Sequence, residues 1–562
     1  MITRYLEGDT MLKSQRRAPG GGRQWKAAAI LKVLLFAFFL SGPGVAAAQE
    51  SVAEQLLDIM KARHEISEKQ YNDLRKQAQR EKAAMRAAIT RQVEKELAGQ
   101  KAAIADQVKK QAAEQKKTRA AEVAAQVKAA QAKIEKEENP HGFHTVWRNG
   151  IVTESKDGAF KLHVGGYGET DFGSMNAGAD MKGLAKTTGT TATGHGAEIR
   201  RLRPTITGTL YGNVDFESQM DFGDGNVRVT NLWARLNDVP YIGHVVVGHQ
   251  KENFSLEELT SDEWTTFMER ALPNTFAVGN VNKDYNTGVK TYDQELDDRL
   301  TWALGAFINQ SNPSGSFFND YENTDLVARL TALPWYEDKG YYLLHIGCGY
   351  SYRARKTNHP TLDYQSTPEF HLTNLNTIDT GLLPATAANT VNPELGLGVG
   401  PFSLHAEYFN SMVNANTKLT YNTVSNLAGT KILNPDFEGY YAEAAYFITG
   451  EHRPYDVNEG IFTRTVPFRN FNTKTGGTGA WELTARFSHA NLTSGGVTGG
   501  NENDVTLGVN WYWNPNVKLA LNYIFARVYD RTYVAGVGNR AFLKTMSDDD
   551  ANIVAMRMLF DF

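Results

Sequence analysis

The chain has 562 residues, 22% of them charged, a net charge of −4 and a single cysteine, Cys348. One cysteine excludes an internal disulfide framework and any cysteine-rich metal site. The near-balanced charge argues against a polyanion-binding surface, and the length accommodates one large module plus an extra one.

Residues 1–48 read as a secretory signal peptide. Lys13, Arg16, Arg17, Arg23 and Lys26 precede a mostly apolar run from Ala27 to Leu40, broken by Lys32. Ala46-Ala47-Ala48 offers a small-residue cleavage site before Gln49. The run is short for a membrane span of roughly 20 residues. Met11 is an alternative start that gives a shorter leader. After Gln49 no stretch is apolar enough for a transmembrane helix, so an exported chain that enters a membrane must do so through strands.

Residues 49–139 form a second texture, rich in Ala, Lys, Glu and Gln, with Gly99 and no proline, which favours helix. Leu57, His64 and Tyr71 make one seven-residue row, with Met60, Ser67 and Leu74 beside it. Farther on, Val93, Leu97, Ile104 and Val108 step by four, seven and four, and Val123, Val127 and Ile134 step similarly. This is the pattern of a self-associating coiled coil, with a solvated single helix or a charged disordered segment as the alternatives. The expected place is the periplasm. Interspersed acids and bases argue against a nucleic-acid partner.

Residues 140–159 read as a linker and a short strand region. His141-Gly142-Phe143-His144 raises a metal pair, but two histidines beside a proline suit a loop, and neither metal nor cofactor is expected.

From residue 160 to 562 the expected fold is an all-β transmembrane barrel. Leu202, Pro204, Ile206, Gly208 and Leu210 alternate with Arg203, Thr205, Thr207 and Thr209; beyond the turn at Tyr211 to Asn213, Val214, Phe216, Ser218 and Met220 alternate with Asp215, Glu217, Gln219 and Asp221. A greasy face and a wet face, at period two, is what a lipid-facing cylinder with a polar interior requires. About sixteen antiparallel strands can be placed, an even number that suits such a barrel. Short turns fall at Tyr211 to Asn213, Pro240, Asp293 to Asp297, Gly400-Pro401 and Asn514 to Asn516. Long polar loops fall at Ser174 to Ala197, Glu252 to Asn286, Lys356 to Pro393 and Asn414 to Asp436. Gly450 to Gly479 is long on the short-turn side. The chain ends on an alternating strand from Asn552 to Phe562, an ending that suits outer-membrane barrel assembly.

Glycines in Gly165-Gly166-Tyr167-Gly168 fit a close backbone approach rather than a phosphate-cradling loop. Trp481, Trp511, Tyr512 and Trp513 read as interfacial girdle aromatics.

Several phrases resemble the phosphate-selective porin O and P family. They include Gly400-Pro401-Phe402-Ser403-Leu404-His405-Ala406-Glu407-Tyr408, Thr449-Gly450-Glu451-His452-Arg453-Pro454-Tyr455 and Gly248-His249-Gln250-Lys251. Phe254-Ser255-Leu256-Glu257, Met268-Glu269-Arg270, Gly479-Ala480-Trp481-Glu482-Leu483 and Asn510-Trp511-Tyr512 add to the set. The likeness runs from about Gly150 to Phe562 and leaves the helical region outside. It implies a sixteen-stranded homotrimeric outer-membrane porin with an inward-folded third loop and a basic path for phosphate-like anions. It also implies Arg200 and Arg201 as part of that lining and Lys251 at the root of the loop, with Asn231 where the family carries an acidic partner.

An anion path needs inward cations that partly replace the ion's water. By parity, Arg201 and Arg203 open one strand at its loop end, and Arg353 and Arg355, followed by Lys356, close another. Arg235, Arg299, Arg329, Arg486 and Arg557 lie deeper or nearer the short turns. Glu169, Asp171, Asp215, Glu217, Glu407 and Glu443 share the inward face, so each arginine alone is as well explained by a bracing ion pair.

The expected function is passive diffusion of small anions, phosphate or polyphosphate, across an outer membrane, with lipid and a homotrimer as partners. The alternatives are a general or differently selective porin, and a barrel whose coil tethers the envelope through peptidoglycan or other cell-wall contact. No short motif marks a Ser/His or paired-acid catalytic site, so enzyme activity is not expected.

Overall fold

Sixteen strands close into one antiparallel cylinder because each pairs with its sequence neighbour and the last returns to the first. The computed structural model describes residues 52–136, 142–278, 285–308, 323–355, 361–416, 432–535 and 542–562. The first eight barrel strands are β1 (Lys161–Ala177), β2 (Thr193–Leu210), β3 (Val214–Asp221), β4 (Arg228–Val239), β5 (Gly243–Lys251), β6 (Tyr285–Glu295), β7 (Leu300–Ile308) and β8 (Thr324–Glu337). The other eight are β9 (Tyr342–Ala354), β10 (Leu383–Val399), β11 (Phe402–Ala415), β12 (Asp436–Phe447), β13 (Ala480–Ser494), β14 (Val497–Asn514), β15 (Val517–Ala535) and β16 (Asp549–Asp561).

The alternation sorts side chains as the sequence requires. Leu202, Ile206, Leu210 and Met220 are exposed on the outer wall, while Arg203, Asp215, Glu217 and Asp221 are buried inside. In β16, Val554, Met556 and Phe560 face out and Ala555, Arg557 and Leu559 face in. Among several register shifts, one redirects charged side chains. Between β1 and β2 the register passes from Glu169 opposite Arg201 to Thr170 opposite Ile199. Arg200 is the extra residue, so two successive arginines are buried while Ile199 stays outside.

The seam is a backbone exchange. Gly166 N–H donates to the Phe562 carbonyl, and Phe562 N–H donates back to the Gly166 carbonyl, each at 3.0 Å. A Cβ on Gly165 would lie 2.5 Å from the Phe562 carbonyl oxygen, which accounts for glycine there. Past the end of β16, the first residues of β1 pair with Ile151–Ser155, whose hairpin partner is Phe143–Trp147. His144 pairs with Glu154 across that hairpin at 2.9 Å; His141 lies outside the described residues.

Four expectations are corrected. The region read as a loop from Ser174 to Ala197 contains the end of β1, a helix over Ala179–Thr188 and the start of β2. The loop read up to Pro393 ends earlier, at Leu383: the strand runs through Pro384 and Pro393, and its pairing with β11 passes from Val391 opposite Asn410 to Glu394 opposite Glu407, leaving out the proline, which has no N–H to give. The turn expected at Asp293 to Asp297 sits lower, after Glu295, so Arg299 is exposed in it and donates to the Leu333 and Tyr336 carbonyls rather than facing the lumen. Tyr512 is not a girdle residue: it points inward and donates to Glu482 at 2.9 Å. Trp481 and Trp511 do stack on the outside, with centroids 4.9 Å apart.

The helical unit is described by itself. It comprises Val52–Ala62 and a 69-residue helix, Glu68–Lys136. The chain turns between them, with His64 at φ 54°, so the rows through His64 and Ser67 are not continuous seams. Ser67 instead caps the long helix: Gln70 N–H donates to its hydroxyl at 3.3 Å and Ser67 N–H donates to the Gln70 side chain at 3.0 Å, a reciprocal capping box. Tyr71 is buried against the first helix, bonding Asp58 and lying under the Lys61 ammonium. Val93, Leu97, Ile104, Val108, Val123 and Val127 are all exposed.

Replacing Gly165 by Val should force the β1–β16 seam apart at a cost of about 1–3 kcal/mol, the usual range for overpacking. Heat-modified migration on a detergent gel reads it: the variant should lose its folded band at a lower temperature than the parent.

Candidate functional site

The interior is filled by three inserted segments, anchored by side chains on the wall. Residues 252–278, between β5 and β6, cross the lumen. Leu256 and Glu257 N–H donate to Glu407 of β11 at 3.0 and 2.8 Å, and the Thr266 hydroxyl donates to Glu443 of β12 at 2.6 Å. Asn510 of β14 donates to the Thr266 carbonyl at 2.7 Å, Lys518 of β15 to the Thr265 carbonyl at 3.1 Å, and Arg557 of β16 to the Met268 carbonyl. Loop carbonyls and amides thus find partners on four strands, and a loop hydroxyl on a fifth, as buried polar groups must.

The second insertion, residues 361–380 between β9 and β10, enters from the loop end. Its Glu369 accepts from Ser488 at 2.5 Å and Thr506 at 2.7 Å and pairs with Arg486 at 2.6 Å. Thr377 donates to Glu502 at 2.5 Å. The third is the long connection on the short-turn side, residues 448–479, which also turns inward. Arg453 donates to Glu482 at 2.5 Å, Tyr455 bonds His345 at 2.6 Å, and Phe462 stacks on His405 with centroids 3.9 Å apart. Tyr455, Ile461 and Phe462 build an apolar cluster with Leu333, Leu343 and Leu256, so this insertion touches the loop descending from the other end.

The sequence-selected cations are paired. Arg200 grips Glu269 with two bonds at 2.9 and 3.0 Å. Arg201 bonds Glu169 at 2.7 Å and reaches Asp262 at 3.0 Å; Arg203 bonds Asp221 at 2.8 Å and Asp262 at 2.9 Å. Arg353 and Arg355 share Asp325, at 2.7 and 2.8 Å, and Arg353 also reaches Glu252. The four loop-end arginines therefore form two groups, one around Asp262 and one around Asp325. Arg235 pairs with Asp215 at 2.5 Å, Arg329 with Glu394 at 2.7 Å and Lys251 with Glu258 at 3.2 Å. Lys356 lies outside the described residues. Asn231 donates to Glu217 at 2.7 Å.

A buried ion pair is held strongly once formed, because removing one partner strands a charge. Burial pushes the Asp262 carboxyl up, but Arg201, Arg270 and Arg203 outweigh it and hold it well below the usual range. Glu263, next to it in the same loop, goes the other way: burial and then the Asp561 carboxylate push it up to about 8, against Arg464. Sequence reasoning missed Lys290, Arg453 and Lys518. Period-two spacing with Tyr292 places Lys290 inside, and that signal was there to be read once the β6 turn is set correctly.

Comparison with known proteins agrees with this architecture. The family described as phosphate-selective porin O and P matches residues 174–562. The chain belongs to that family. A relative named Porin O, from Pseudomonas aeruginosa, is 24% identical over 413 residues, covering 68% of this chain and 86% of its own. An uncharacterized protein from Caulobacter vibrioides is 28% identical over 424 residues, covering 74% of this chain and 76% of its own. Among solved structures, the outer-membrane channel DcaP of Acinetobacter baumannii superposes with a TM-score of 0.43 at 12% identity, covering 73% of this chain and 99% of its own. Family and fold make this an outer-membrane porin.

Glu263 yields a pH test. Its proton is held more tightly in the folded state than at the ordinary carboxyl value of 4.5, so the stability it contributes is fully present below about 4.5 and lost as pH rises through about 8. Glu263→Gln should flatten the fall in thermal stability between pH 5 and 9, read by melting followed by circular dichroism.

Proposed function

We propose that this porin passes small solutes by passive diffusion with a modest anion preference and no dedicated phosphate ladder. The carrying observation is the pairing of the inward arginines. Arg200, Arg201, Arg203, Arg235, Arg329, Arg353 and Arg355 each have a carboxylate partner at 2.9 Å or less. A guanidinium already held by a carboxylate has little left with which to replace an anion's hydration shell. Phosphate, which the family's description favours, and polyphosphate remain in this reading as permeant ions among other small anions. Enzyme activity forms no part of it.

Assembly follows the family resemblance: a homotrimer in the outer membrane, with the helical segment exported into the periplasm behind a cleaved leader. The exposed row from Val93 to Val127 supports self-association of the long helix. Contact with peptidoglycan or another wall polymer through that helix is the second role for the same segment.

Purified protein in planar bilayers tests the reading. In a chloride gradient the reversal potential should show an anion preference of only a few-fold, and added phosphate should not block chloride current at millimolar concentration. Block at micromolar phosphate would restore the phosphate-selective alternative.

A further inference from the structure

The three insertions do not fill the lumen evenly. From β9 round to β16 the inward side chains are buried: Ser351, Glu394, His405, Tyr441, Thr484 and Ala520 are examples. On β4 and β6 several are not, although Arg235 and Asn286 beside them are buried. Asn231, Trp233, Lys290, Tyr292 and Gln294 are all half-buried. Their direction is fixed by their bonds. Asn231 donates to inward Glu217; Arg235 donates to the Tyr292 hydroxyl at 2.6 Å and lies over the Trp233 ring at 6.0 Å; Gln294 donates to the Asn458 carbonyl of the inserted segment at 3.3 Å.

From this asymmetry we infer that solutes cross along the β4–β6 wall, with Lys290 as the cation they meet, between Trp233 and Tyr292. The inference rests on the porin reading above and deepens it by naming the path and its charge. Lys290 differs from the arginines. Its Nζ donates to the Lys251 carbonyl at 3.2 Å, and no carboxylate among the described residues is ion-paired with it. An ammonium with donors to spare attracts small hydrated anions and releases them readily, since its contact is a point charge rather than a fixed fork. Trp233 and Tyr292 give the same strip flat apolar faces, so small neutral hydroxylated solutes can pass beside the charge. The path is therefore eccentric, and it excludes the arginine groups around Asp262 and Asp325.

Single cysteines in a Cys348→Ala background test the path by current block in planar bilayers with small charged methanethiosulfonate reagents. Asn231→Cys and Gln294→Cys should lose more than half their current on modification, and Thr484→Cys and Ala555→Cys, on the filled side, should lose little. Lys290→Glu should move the anion-to-cation permeability ratio at least two-fold towards cations, and the milder Lys290→Gln should move it the same way by less. Block at Thr484 and Ala555 without block at Asn231 and Gln294 would overturn the inference, as would block at none of the four in a conducting protein or an unchanged ratio in both Lys290 variants. A parent protein that carries no current would sink the porin reading and this path with it.

Discussion

Hydrocarbon leaves a strand no partner for its N–H and C=O groups except another strand, so the ladder has to close. Everything else in this barrel follows from that closure. β16 must return to β1, and the return is made where Gly165 and Gly166 let two backbones meet and Phe562 exchanges both its amide bonds with Gly166. Once the cylinder is shut, period two decides the medium of each side chain. Leu202 and Ile206 are exposed on the outer wall, and Arg203 between them is buried inside.

Closure creates the second problem, an interior crowded with charge. Carboxylates and guanidinium groups inside a narrow cylinder are costly unless matched, and the three inserted segments supply much of the matching. Asp262 and Glu269 arrive on the loop after β5 and take up Arg200, Arg201 and Arg203. Glu369 arrives on the loop after β9 and takes up Arg486. From the other end, the Glu459 and Gly460 carbonyls cap Arg329, whose carboxylate partner is Glu394. The insertions are thus wedges that neutralise one side of the wall, and the cross-section left to solutes lies on the other.

The barrel was legible in the sequence because its signal is local. Alternation from Leu202 to Asp221 needs no knowledge of any other strand, and the ending at Phe562 needs only its own strand. Arg200 was harder: a bulge turns both it and Arg201 inward, and parity alone assigns opposite faces to adjacent residues. The inserted segments were not legible at all from spacing. Residues 448–479 read as an anomalously long short-side connection, but nothing local says that Tyr455 and Phe462 will be paid back with His345 and His405 partners from distant strands. Parity gave the inward face of Glu169 and Asp215, which pair with Arg201 and Arg235, but not of Asp262, Glu269 and Glu369, because these sit on loops, where no periodicity assigns a direction. In the helical unit, seven-residue spacing suggested one seam, while Ser67 and Gln70 spelled a cap that breaks it.

The most direct measurement is the environment of single spin labels from Val214 to Asp221 in protein embedded in lipid. Oxygen, which partitions into acyl chains, should collide most with labels at 214, 216, 218 and 220, and a water-soluble nickel chelate should show no such preference for those positions. A flat profile, or a maximum repeating every three to four residues, would contradict a closed cylinder with oil outside it and polar groups within.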